Sequence, residues 1–190
     1  MPLIDVVSSR RKAAVRRLLF GSHVLVIFWV AAVGLSSGCA PAKKPHAREF
    51  LVPEPSGVEP VTAAMGINRL KVQAGESFDV LVRVRIAGGY HIYAPAAGSS
   101  PFTRAVVRLD LPGPLEAEGE WIMPRPTVTK SGESIYTDSV LFRRRIKVRL
   151  NAPNEPVSIK GELLCQACDA ELCRPPGKIP LSASVKVVSR

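Results

Sequence analysis

Beyond its amino-terminal region the 190-residue chain shows no helical periodicity, and it contains no internal repeat. The first absence argues against helical bundles and the second against repeat architectures. The chain also lacks a basic stretch interleaved with aromatics and any recognised DNA-binding signature, so its net charge of +10 does not mark a nucleic-acid-binding protein. No second Cys-x-x-Cys follows the one present, which leaves a four-cysteine zinc site without its spacing. Cysteine itself is scarce. There are four, and three of them fall within nine residues.

What is present is enough for one ordinary domain plus a targeting segment. Apolar residues make up 46% of the chain, which supports a packed core and opposes wholesale disorder. Residues 1–38 hold five Lys or Arg and one Asp, a net +4, so the remainder carries +6. That surplus suits acidic partners or membrane headgroups.

The amino-terminal region reads as an export signal. "RRKAAVRR" (10–17) is basic, "LLFGSHVLVIFWVAAVGLSSG" (18–38) is apolar or small, and Cys39 follows. "LSSGC" resembles the lipobox of bacterial lipoproteins, in which the cysteine receives lipid and becomes the mature amino terminus. Ser36 stands where that motif usually has Leu, and Leu35 lies one residue further back. An uncleaved transmembrane anchor and a plain cleaved signal are the alternatives. All three place the folded part outside the cytoplasm, because the basic cluster stays inside. Residues 40–62, rich in Pro, Ala and charge, read as a tether in which His46 is solvated. The expected organisation is a signal over 1–38, a linker over 39–64 and a domain over 65–190.

That domain is expected to be all-β. "FDVLVRVRI" (78–86) puts Val80, Val82, Val84 and Ile86 on one face. "AVVRLDL" (105–111) is a second strand. "LFRRRIKVRL" (141–150) sets Phe142, Ile146, Val148 and Leu150 against an Arg/Lys row that reads as a solvated face, and Arg144 interrupts the apolar side as at a bulge or edge. "PVSIKGELLC" (156–165) and "KIPLSASVKVV" (178–188) complete the set. Short strands with Gly/Pro turns predict an antiparallel, immunoglobulin-like β-sandwich.

Export permits disulfides. If Cys39 is lipidated, Cys165, Cys168 and Cys173 remain: one pair and one left over. Cys168 and Cys173 lie in the connection between the last two strands. Fully extended, that spacing would hold them roughly 16–18 Å apart, so a bridge requires "DAEL" to turn back. Three readings stay open. One is a redox-active pair, either Cys168 with Cys173 or the Cys-x-x-Cys of Cys165 and Cys168. Another is a structural staple, whose short loop gains little entropy. The third is a metal site using the three thiols, with His91 as a further ligand. Arg174 beside Cys173 favours its thiolate, whereas Asp169 and Glu171 near Cys168 disfavour one, so Cys173 is the better nucleophile.

"CQACDAELCRPPGKIPL" (165–181) resembles the end of the amino-terminal periplasmic domain of DsbD, the thiol:disulfide interchange protein. "GGYHIYAP" (88–95) and "WIMPRPTVTKSGESIYTDSVLFRRRIKV" (121–148) resemble two further segments of that domain, and the likeness covers residues 65–190. It implies an immunoglobulin-like fold, a Cys168–Cys173 redox pair with Cys173 forming the mixed disulfide, and a site lined by Tyr90, Tyr93 and Arg174. It implies no cofactor. The domain would be one component of a protein-disulfide reductase system, held by a lipid or transmembrane anchor on the periplasmic side of a bacterial membrane. A thioredoxin-like domain or DsbD-type membrane protein would reduce it, and it would reduce disulfides of periplasmic proteins. Neither donor domain is among these 190 residues, so the donor is expected to be a separate protein. Two departures stand out. Cys165 occupies a position where the family often has Tyr, and "PTVTKSGES", the counterpart of the family's capping loop, has no aromatic.

Overall fold

The computed structural model describes residues 51–95 and 101–189. The expected signal segment, Cys39, His46 and most of the expected linker lie outside the described residues. Among the latter there is no helix. The strands are β1 (Val61–Ile67), β2 (Lys71–Gln73), β3 (Ser77–Ile86), β4 (His91–Tyr93), β5 (Val106–Asp110), β6 (Leu115–Ile122), β7 (Thr127–Val128), β8 (Ser134–Tyr136), β9 (Ser139–Val148), β10 (Pro156–Cys165), β11 (Ala167–Cys168) and β12 (Gly177–Val188).

They form an immunoglobulin-like sandwich. One sheet runs β1-β3-β9-β6 and the other β2-β12-β10-β5, while a small sheet, β11-β4-β8-β7, carries the cysteine segment. The strand pairs are antiparallel except β2 with β12, which run parallel. Alternation drives the assembly. Phe78, Val80, Val82, Val84 and Ile86 of β3 face inward, and meet Phe142, Ile146 and Val148 of β9 and Val157, Ile159 and Leu163 of β10 in one core. Each such side chain contributes about 1.5–3 kcal/mol on burial.

The Arg/Lys row of β9 is a solvated face laced with acids. Arg145 pairs with Glu118 at 3.0 Å, Arg149 with Glu116 at 3.5 Å and Arg143 with Asp79 at 4.0 Å. Exposed pairs of this kind contribute about 0–1 kcal/mol each. Arg144 does sit at a bulge: the register jumps between Glu118↔Arg145 and Ile122↔Arg143. Its guanidinium enters that gap, donating to the Gly119 carbonyl at 3.2 Å and lying over the Trp121 ring.

Two expectations need correction. The linker was expected to reach residue 64, but β1 begins at Val61 and pairs with β3 from Val61↔Ile86 onward. Its Pro-rich approach is also held: Thr62 Oγ1 donates to the Pro53 carbonyl at 2.6 Å, and Glu54 pairs with Arg85. Leu150 was expected on the apolar face but is 76% exposed, because β9 ends at Val148 and the chain turns there.

At Gly161 two strands approach closely. A Cβ there would lie 2.5 Å from the Arg108 carbonyl oxygen of β5. Only a residue without a side chain lets β10 sit that close to its neighbour.

Candidate functional site

The site is built at the end of β10. The core-facing alternation of that strand ends in Cys165, whose thiol is buried. Gln166 then redirects the chain. Its Oε1 accepts from the Thr103 amide at 2.9 Å and its Nε2 donates to the Arg174 carbonyl at 3.0 Å. One side chain thereby ties the cysteine segment to the 101–104 loop and closes the segment's far end.

Cys168 and Cys173 form a disulfide, with Cα atoms 4.0 Å apart. The turn between them is the work of Asp169. Its Oδ1 accepts from the Glu171 and Leu172 amides at 2.9 and 2.8 Å, and its own amide donates to the Leu172 carbonyl at 3.0 Å. An aspartate that bonds the backbone two and three residues on is a standard way to reverse a chain. Those two amides, ahead of Tyr90 and Arg174, hold the Asp169 carboxyl below its usual range. A fixed negative charge therefore sits beside Cys168, opposing a Cys168 thiolate.

The two sulfur-bearing residues differ in access. Cys168 is 1% exposed, whereas Cys173 is partly exposed and has Leu172, 68% exposed, beside it. Cys173 is therefore the more accessible residue of the pair.

Arg174 is held in place. Its backbone amide donates to the Ala167 carbonyl at 2.8 Å. Its guanidinium donates to the carbonyls of Val58 (3.2 Å) and Gly57 and to the Tyr90 hydroxyl (3.3 Å), and it lies over the Tyr90 ring. Tyr90 also lies near enough to Asp169 to help hold its carboxyl down. Its position follows from the turn before β4, where its amide donates to the Ala87 carbonyl at 3.0 Å and Gly89 adopts φ +83°, a conformation glycine takes without strain.

Tyr93 is buried, and stacks on Phe102 with ring centres 4.3 Å apart and planes 4° apart. Burial, then the Glu133 charge, pushes its hydroxyl pKa up. The hairpin of β7 and β8 that corresponds to the expected capping loop lies in the same small sheet, with β4 between it and the cysteines. Tyr136 belongs to the core, its hydroxyl donating to the Pro124 carbonyl at 3.0 Å.

The structure thus brings together Cys168, Cys173, Tyr90 and Arg174, and places Tyr93 one step away across the sheet. Cys165 is outside the bridge. Burial pushes its thiol pKa up to about 11, and it lines a cavity of about 150 Å³ with Pro60, Val61, Ala167, Arg174, Pro175 and Ile179. The Cys165–Cys168 alternative is not the bridge that forms, and the bridge takes two of the three sulfurs of the alternative metal set. His91, the further ligand of that set, lies opposite Cys168 in the sheet. Sequence reasoning missed Gln166 and Phe102. Gln166 carried a signal, since it sits inside the cysteine cluster. Phe102, in a loop outside the motifs, carried none.

Comparison with known proteins gives a family and several distant shapes. The family model described as "Thiol:disulfide interchange protein DsbD, N-terminal" matches residues 60–180. Among solved structures, the chain is similar to the N-terminal periplasmic domain of ScsB from Proteus mirabilis at 14% identity and a TM-score of 0.46, covering 68% of this chain and 49% of that one. A family 123 glycoside hydrolase from Clostridium perfringens matches at 10% identity and a TM-score of 0.31, over 68% of this chain and 28% of that one. PapD-like domain 7 of human CEP192 matches at 10% identity and a TM-score of 0.29, over 77% and 99% respectively. The chain spans about half the length of the ScsB structure. No curated protein matches it.

Proposed function

The chain belongs to the family of DsbD amino-terminal domains, which makes it a thiol–disulfide interchange domain, and from that premise we propose that it relays reducing equivalents from a thioredoxin-like or DsbD-type donor to disulfides of periplasmic proteins. The observation that carries the proposal is the asymmetric Cys168–Cys173 bridge, with one sulfur buried and one open to approach.

The exchange runs in two steps. In the reduced domain the Cys173 thiolate attacks one sulfur of a substrate disulfide. The substrate S–S bond breaks, its second sulfur leaves with the electron pair as a thiolate, and a mixed disulfide to Cys173 forms. Cys168 then attacks the Cys173 Sγ and releases the remaining substrate sulfur, leaving the Cys168–Cys173 bridge. The substrate gains two electrons and takes two protons from solvent or neighbouring groups. The donor reverses the sequence by attacking Cys173. Tyr90 and Arg174 shape the mouth of the site, and no cofactor enters any step.

Redox titration tests the proposal. A relay pair titrates at a potential above about −300 mV, whereas a bridge that only staples an adaptor domain lies below it. A value in the lower range would replace the relay with that structural reading.

The domain is placed at the periplasmic face by a lipid on Cys39, behind a signal over 1–38 and a linker that ends where β1 begins. Mass spectrometry of the membrane fraction should find lipidated Cys39 at the mature amino terminus. Intact residues 1–38 on the mature protein would instead establish a transmembrane anchor.

A further inference from the structure

His91 lies directly opposite Cys168 in the β4–β11 ladder. Opposed residues of antiparallel strands project to the same face, with Cβ atoms about 4.5–5.5 Å apart. No other side chain of β4 has this relation to a redox cysteine: Ile92 opposes Ala167 and points into the core. In the bridged form the imidazole packs edge-on against Tyr93, with ring centres 5.3 Å apart. Cys168 is buried beside a fixed aspartate, so as a free thiol it has little tendency to ionise unaided. Yet Cys168 must lose its proton to close the bridge. The domain needs a base at this position, and the ladder supplies an imidazole there.

We propose that His91 is the base that deprotonates Cys168 as it attacks the mixed disulfide on Cys173. The inference rests on the division of labour argued above. In the step, the Cys168 S–H bond breaks and its proton passes to the neutral imidazole. The Cys168–Cys173 S–S bond forms as the Cys173–substrate S–S bond breaks, and the substrate sulfur departs as a thiolate. The imidazolium then returns its proton to that thiolate or to solvent. When the donor reduces the bridge, the same group runs backwards and protonates Cys168 as it leaves.

The surroundings suit the role. Burial lowers the histidine's pKa and the Asp169 charge raises it, with burial the larger effect, so the ring is neutral at neutral pH. The charged or titratable groups around it are Asp169 following β11, Tyr93 on its own strand, and, one contact further, Tyr90 and Arg174 on Asp169 and Glu133 on Tyr93. Asp169 steadies the imidazolium that forms during the step.

The test uses the reduced full-length chain and the aromatic disulfide DTNB, whose thiolate product is coloured. One thiolate leaves when Cys173 is modified, and a second leaves when Cys168 closes the bridge. His91→Gln and His91→Phe should leave the first phase unchanged and slow the second at least ~100-fold, the lower reach of general-base contributions. In the wild type the second phase should fall as pH drops through the histidine's ionisation. In both variants that acid limb should vanish, which a merely structural role for His91 would not produce. An unaltered second phase with its acid limb intact overturns the inference while leaving the relay standing. Absence of any second phase in the wild type overturns the relay itself. Should His91→Phe fold poorly, His91→Gln carries the test, with native spectra as its control.

Discussion

The Arg174 guanidinium donates to the Val58 carbonyl at 3.2 Å, across 116 positions of sequence. The residue after the accessible cysteine thus holds the approach to β1 against the cysteine turn. Arg174→Ala should release residues 56–60, seen as faster amide hydrogen exchange there. Because the contact is exposed, the cost to global stability should be only about 1 kcal/mol by urea unfolding, below the usual range for bonds to charged groups. Unchanged exchange would show that Thr62 and Arg85 suffice to hold this segment.

Removing the resolving thiol should trap the exchange intermediate. Cys168→Ser should accumulate mixed disulfides with partner proteins through Cys173, visible on non-reducing gels and cleared by reductant. Cys173→Ser should trap far less. Cys165→Ser should leave turnover largely intact, since its thiol faces the core. Loss of turnover in Cys165→Ser with a silent Cys173→Ser would move the working pair to Cys165 and Cys168.

Cys165 also sets an alkaline limit on stability. Its thiol is pushed from 9.0 up to about 11 by burial. Above pH 9 the unfolded chain loses this proton while the folded chain keeps it, so the unfolded state binds fewer protons and stability falls with rising pH. The loss should run between pH 9 and 11 and reach roughly 3 kcal/mol. Urea midpoints measured across that range, compared with Cys165→Val, should show the variant losing less. Equal slopes would mean the thiol is not buried in solution.

Gly161→Ala should destabilise the sandwich by about 2 kcal/mol, because its Cβ meets the Arg108 carbonyl at 2.5 Å and β5 must move. Chemical denaturation measures it. A neutral result would mean that β5, an edge strand, shifts freely.

Much of the sandwich was legible in sequence because its long strands carry one buried face. β3, β9, β10 and β12 each run ten residues or more, enough for a period of two to show through. The small sheet was not legible. β4, β8 and β11 have two or three residues each, too short for any period, and they exist because the turns around them bring their backbones together. The site divides the same way. The cysteines, Tyr90 and Arg174 could be found in two local motifs, and the turn at Asp169 follows from an aspartate two residues ahead of an amide it can reach. The stacking of Phe102 on Tyr93 and the facing of His91 and Cys168 depend on pairings between distant segments, which single-chain patterns do not encode.

The parallel pairing of β2 with β12 has a consequence for how the molecule is made. Lys71, Val72 and Gln73 find their strand partners in Lys186, Val187 and Val188. Synthesis delivers a chain amino end first, so the early strand waits until nearly all the rest has emerged before its sheet can close. The cysteine turn precedes β12 in the chain, and its thiols therefore appear while the sandwich is still open. During that interval Cys165, later sealed, is as available as the other two. Correct pairing of Cys168 with Cys173 then depends on the Asp169 turn, a local structure that can form before the sheets do and can keep those two sulfurs together while the third is still at large.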